Sequence, residues 1–205
     1  YYTQQEDWRR LLTVLSTQQS EAEDIENKIV IGFQMAKVAE ENLKSNDKAI
    51  EMWRAILRLD ASREEAIEAL TRLYEIGNKW SALLELLKDQ FEYLPDDLIT
   101  DKIERLEQMI VIYQSRMRQP VMVMNTYRQI LELDTQYEPA LRALETLYRD
   151  SSRWHELAEM IERQAEMVED RGEQDLLRSR YEDLAKLNEK YLGNLDRAIH
   201  YYEEM

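Results

Sequence analysis

The chain has 205 residues, with 27 Lys plus Arg against 42 Asp plus Glu, for a formal net charge of −15. Hydrophobic residues make up 44% and charged residues 34%, with only four Gly and three Pro; that balance excludes a turn-rich β fold and suits long amphipathic helices, so an all-α fold is expected. The absence of cysteine removes disulfides, thiolate metal sites and thiol nucleophiles, and no apolar run approaches the roughly 20 residues that a membrane span needs.

The first expected element is a partial unit over residues 1–20, where Tyr2 stands six residues before Trp8 and Trp8 is followed by Leu11, Leu15 and Gln18. A long helix is expected from about Glu21 to Lys44, then a shorter one beginning near Asn46 that carries Ala49, Ile50, Trp53, Ile56 and Leu57. From Glu64 to Asp97 the apolar residues Ile67, Leu70, Leu73 and Tyr74, then Trp80, Leu83, Leu84 and Leu87, have the spacing of two amphipathic helices. Gly77 and Asn78 break between them, and Pro95 with Asp96 and Asp97 is expected to close the second helix and cap the next. A second long helix follows from Leu98 to Met117, and a shorter one from Pro120 with Val123, Met124, Tyr127, Ile130 and Leu131. A regular pair then runs from Glu138 through Leu141, Leu144, Tyr148, Trp154, Leu157 and Ile161. The third long helix spans Gly172 to Tyr191, and the last begins near Asn194 with Ala198, Ile199 and Tyr202.

These elements repeat. Trp8 to Trp80 is 72 residues, Trp80 to Trp154 is 74, Trp53 to Tyr127 is 74 and Tyr127 to Tyr202 is 75. Such a period is the mark of a stacked repeat in which one helix pair cannot bury its apolar face alone. The expected organisation is a single array over residues 1–205 of about 11 helices, with units at roughly 21–62, 63–97, 98–136, 137–170 and 171–205 after the partial 1–20. Both ends fall inside repeats, so the chain is expected to be a piece of a longer protein, with its compartment open between cytoplasm and periplasm.

The 34-residue stretch from Glu64 to Asp97 resembles a tetratricopeptide repeat (TPR). Ile67 and Leu70 take the family's large apolar places in the first helix and Tyr74 its aromatic place. Trp80 opens the second helix, Leu83 and Leu87 pack it, and Pro95 stands at the end. The unit from Glu138 matches in the same way. Thr71 and Glu145 stand where the family often has Gly, and Gln90 and Gln164 where it has Ala, so these are divergent members. The alternate units look like versions lengthened by about six residues in the first helix. The resemblance implies a right-handed α-solenoid of antiparallel helix hairpins. The Trp, Tyr and Leu positions would form its core, where a Trp-to-Ala change, at Trp80 for example, should cost about 3–5 kcal/mol.

In the family the first helix of each pair lines a concave groove. The resemblance therefore places partner-binding positions at Glu65, Glu68, Arg72 and Glu75 in one regular unit and at Arg142, Thr146 and Arg149 in the other. In the long helices the matching positions are Phe33 and Lys37, Glu107 and Val111, and Glu182 and Lys186. A solvated helix face with i, i+4 pairs such as Glu68 with Arg72 is the competing reading. The Lys, Asn and Arg clamp with which some family members hold a chaperone carboxylate is not recognisable.

Little points to catalysis. His155 and His200 have no acidic partner at a triad or metal spacing, and Gly32, Gly77, Gly172 and Gly193 are isolated, so there is no phosphate loop. Carboxylate pairs are too common in so acidic a chain to carry meaning. No basic cluster suits nucleic acid. Three Met residues between Met117 and Met124 read as core filling or as an adaptable contact. The expected function is a scaffold, not an enzyme and without cofactors, that binds a protein or peptide of basic or mixed charge on its concave side. The alternative is a structural spacer or self-association module with an empty groove.

Overall fold

A computed structural model describes residues 5–205, so Tyr2, half of the first aromatic pair, lies outside the described residues. Among the described residues there are eleven α-helices and no strands. They are α1 (Gln5–Glu21), α2 (Ile25–Lys37), α3 (Asn46–Leu59), α4 (Glu64–Ile76), α5 (Trp80–Tyr93), α6 (Ile99–Ile112), α7 (Pro120–Leu133), α8 (Glu138–Asp150), α9 (Trp154–Asp170), α10 (Gln174–Leu187) and α11 (Leu195–Glu203). The chain divides into two compact units, one ending at Val123 and one beginning at Met124.

In the first unit each helix packs on its sequence neighbour, α1 on α2, α2 on α3, α3 on α4, α4 on α5 and α5 on α6. Short connections between packed neighbours make these antiparallel hairpins. The faces that meet are the apolar stripes of the sequence: Ala49, Trp53 and Ile56 of α3 are buried, as are Ile29 and Ala36 of α2. Gly32 allows the approach, because a Cβ there would stand 3.0 Å from Ile56 Cγ1. In the second unit α8 packs on α9, α9 on α10 and α10 on α11. Leu144, Tyr148, Leu157, Ile161, Leu184 and Tyr201 share one core there. Each unit is thus a set of antiparallel helix pairs, as the repeats led one to expect.

The long helices are not uniform. Each ends in a π-helical turn, Val38–Asn42 after α2, Tyr113–Met117 after α6 and Asn188–Leu192 after α10. Successive turns begin 75 residues apart, at positions 38, 113 and 188. An i→i−6 bond closes each, from Ser45 N to Ala39 O, Gln119 N to Tyr113 O and Asn194 N to Asn188 O, all at 2.9 Å. The residue before each of these donors is left-handed: Lys44 (φ 52°), Arg118 (φ 53°) and Gly193 (φ 66°). The extra length of the alternate units is thus a widened last turn and a left-handed stop. The first of these helices starts at Ile25 and not at Glu21, because α1 runs to Glu21 and the Asp24 carboxylate accepts from Asn27 N as the N-cap.

The regular pairs turn differently. After α4, Lys79 N bonds Tyr74 O at 2.8 Å and Asn78 N bonds Glu75 O at 3.1 Å. After α8, Arg153 N bonds Tyr148 O at 2.8 Å and Ser152 N bonds Arg149 O at 3.1 Å. Both are Schellman endings, with Asn78 (φ 51°) and Ser152 (φ 55°) in the left-handed position. Gly77, the expected breaker, is right-handed. Serine gains nothing from that conformation, so Ser152→Gly is expected to stabilise the protein by about 0.5–1 kcal/mol, read as a rise in melting temperature of about 1–4 °C.

Asp96 does not cap α6. Its carboxylate reaches across to Lys102 Nζ at 2.5 Å, and Leu98, the N-cap of α6, makes no side-chain cap. Lys102 is buried, with its Nζ 5.4 Å from the centre of the Phe91 ring, so the cation draws Asp96 away from the backbone.

Candidate partner-binding faces

The first-helix positions are placed unit by unit. In the first unit Glu65, Glu68, Arg72 and Glu75 recur along the exposed side of α4, and Lys37 is exposed at the end of α2. Arg72 pairs with Glu40 of the π turn at 2.5 Å and not with Glu68. The lengthened α2 carries Glu40 to the neighbouring first helix, and a carboxylate held by the fold displaces the local i, i+4 partner. Phe33 is half-buried, its ring meeting Trp53 edge-on at 5.2 Å. On α6, Glu107 is half-buried and Val111 is 62% exposed.

In the second unit the structure brings two of the named residues together. Arg149 of α8 and Lys186 of α10 line one cleft of about 520 Å3 with Asp183, Glu189, Lys190 and Tyr191. Three cations, Arg149, Lys186 and Lys190, thus face two carboxylates, Asp183 and Glu189, in a chain whose total charge is −15. Each cation is also steadied locally. Arg149 holds Glu145 at 2.9 Å, Lys186 holds Glu182, and Lys190 Nζ stands 5.2 Å from the Tyr191 ring. The bond to Lys186 holds the Glu182 carboxyl below its ordinary pKa, and the same bond raises that of Lys186. Arg142 is taken up by Glu138 at 2.7 Å, and the Thr146 hydroxyl donates to Arg142 O. Neither lines the cleft.

Asp183, Lys190 and Tyr191 were not among the sequence candidates. Tyr191 stacks on Trp154, ring centres 4.1 Å apart. In the first unit the Arg116 guanidinium lies over Trp80 at 4.8 Å. Tyr191 and Arg116 each stand two residues before the left-handed stop of a long helix, so the π turn delivers a side chain onto the repeat Trp. The Trp spacing was the available signal; the turn that supplies its partner was not visible.

Among the described residues no three His, Asp or Glu side chains gather as a metal site, and no helix is long and apolar enough to cross a membrane.

The hairpins and their repeat define an all-α helical-repeat protein. Solved structures with similarity to the chain include a MamA protein, at 16% identity and TM-score 0.38 over 86% of this chain and 88% of that one. Another is a kinesin light chain from Podosopora anserina with nearly identical TPR-like repeats, at 15% identity and TM-score 0.41, covering 89% and 95%. A third is YrrB, described as a TPR protein with an unusual peptide-binding site, at 15% identity and TM-score 0.35, covering 87% and 86%. No family model matches the chain, and no curated protein matches it.

Proposed function

We propose that the chain is a protein-interaction scaffold that holds a partner segment on its first-helix faces and catalyses nothing itself. The observation that carries this reading is the cleft of the second unit, where Arg149, Lys186 and Lys190 gather beside the Tyr191 ring. Guanidinium and ammonium groups beside an aromatic face suit a peptide carboxylate with an apolar neighbour. The partner segment is therefore acidic at this cleft, although the field of the whole chain favours basic partners. Because Arg149 and Lys186 already have carboxylate partners on their own helices, the ligand exchanges one charge pair for another and binding is modest in strength and sensitive to salt.

The test is a random-peptide display selection on the wild-type protein and on Arg149→Glu with Lys186→Glu. The expected result is a set of Asp- and Glu-rich peptides that the double variant no longer retains. Peptides retained equally by both proteins would remove the cleft from the reading.

A further inference from the structure

α11 leaves open a face that its counterparts in the earlier repeats keep covered. It aligns with α3 at a spacing of 149 residues, which puts Asp196, Arg197, Ala198, Ile199 and Tyr202 at the places of Asp47, Lys48, Ala49, Ile50 and Trp53. In α7 the places of Ile199 and Tyr202 are held by Met124 and Tyr127. Ala49 and Ala198 are buried alike, so α11 is seated on its inner side as α3 is. The outer side differs. Ile50 is 7% and Met124 4% exposed, but Ile199 is 54% exposed, and Tyr202 is 44% exposed where Trp53 is 4%. Leu195, Ile199 and Tyr202, four and three residues apart, form one exposed apolar stripe.

The neighbours account for the difference. α3 packs on α2 and the π turn after it, and α11 packs on α10 and the π turn after that. α3 also packs on α4, and among the described residues no helix takes that place beside α11. Met124 agrees, since it shares a core with Leu144 and Tyr148 of α8. Leu70 and Tyr74 of α4 line a cavity of about 200 Å3 with Leu57 of α3 and Leu86 of α5. Leu144 and Tyr148 of α8 line one of about 460 Å3 with Leu131 of α7 and Met160 of α9.

The two helices that do the covering specify what would fit. α4 and α8 both read Glu-x-Ala-x-x-Ala-Leu-x-x-Leu-Tyr, with a cation, Lys79 or Arg153, five residues after the Tyr. Lys79 Nζ bonds the Asp47 carboxylate of α3 at 2.6 Å. Asp196, the counterpart of Asp47, is exposed in the first turn of α11.

We infer that the Leu195, Ile199 and Tyr202 face of α11 is a docking surface for one amphipathic helix of a partner protein that carries this pattern, packs on α11 as α4 packs on α3, and sets its trailing Lys or Arg against Asp196. Burial of the apolar stripe drives the contact, and the exposed ion pair fixes register more than affinity. The face shares no residue with the Arg149 cleft, and the helix docks whether that cleft is filled or empty.

The test uses the whole chain with 13C-labelled isoleucine δ1 methyls and a capped synthetic probe with the chain's own sequence over residues 62–79. Saturable shifts are expected at Ile199 with Ile50 and Ile161 unmoved, and a probe of scrambled order should bind about tenfold more weakly or worse. Leu195→Asn with Tyr202→Gln, both exposed positions, should weaken the probe by about tenfold at an unchanged urea midpoint. Asp196→Lys should weaken it about two- to fivefold, and a probe with Lys79→Glu should recover that loss. No saturable shift at Ile199, equal binding of the scrambled probe, or binding that the Leu195 and Tyr202 changes leave intact would each overturn the face. So would Ile199 shifts that grow with protein concentration alone, which would mean that a second copy covers it. A Lys79→Glu probe that fares no better on Asp196→Lys would overturn the register. Arg149→Glu should leave the Ile199 response unchanged, so failure of this face and failure of the cleft are distinguishable.

Discussion

Trp53→Ala is expected to destabilise the first unit by about 3–5 kcal/mol, read as a fall in urea midpoint at unchanged slope. Trp53 is 4% exposed and its ring stands against Phe33 at the junction of α3 with α2. Removing it leaves a void the size of an indole between two helices that Gly32 already brings into close approach, so the site has little freedom to collapse. Trp53→Phe separates shape from chemistry. Trp53 Nε1 is buried without an acceptor, so losing that N–H relieves a cost and offsets part of the lost area. Phe should thus retain most of the stability that Ala forfeits. Trp80 is half-buried at the start of α5 beneath Arg116, and Trp80→Ala should cost less than Trp53→Ala. An alanine at Trp53 that unfolds at the wild-type midpoint would overturn the packing of α2 on α3.

Leu184→Ala is expected to cost the second unit about 2–5 kcal/mol, measured in the same way. Leu184 is 0% exposed in a cluster with Leu144, Leu157 and Ile161. It comes from α10, so the cavity would open between that helix and α9, which packs against it. Leu184→Met, which keeps most of the volume, should cost under about 1.5 kcal/mol. A loss as large for Met as for Ala would mean that the site is held by shape more strictly than burial alone requires.

Most aliphatic and Tyr positions were legible because helix pairs must bury a stripe, and the stripe repeats, but Trp8, Trp80 and Trp154, expected in the core, are only half-buried, and in α11 Tyr201 is buried while Ile199 and Tyr202 are exposed. Leu70, Tyr74, Leu83 and Leu87 are buried in one regular pair, and Leu144, Tyr148, Leu157 and Ile161 in the other. Helix ends were less legible. Asn78 and Ser152 take the left-handed position without the glycine that usually announces it, and the π turns, which insert a single widened turn into an α-helix, follow no composition signal. Charge partners were the least legible of all. Local spacing offered Glu68 to Arg72, but the fold presents Glu40.

The sequence by itself determined the all-α class, the helix pairs, their step of 72 to 75 residues and the buried face of most helices, α11 excepted, since burial periodicity is written in the chain one turn at a time. The tertiary structure decided which first-helix residues meet. It drew Arg149 and Lys186 into one cleft with Lys190 and Tyr191 and left Arg142 to Glu138. It also decided that a cavity opens behind Tyr74 and again behind Tyr148. These outcomes depend on distances between helices far apart in sequence, fixed by packing volumes and by where each π turn ends its helix, and no periodicity along one chain encodes them.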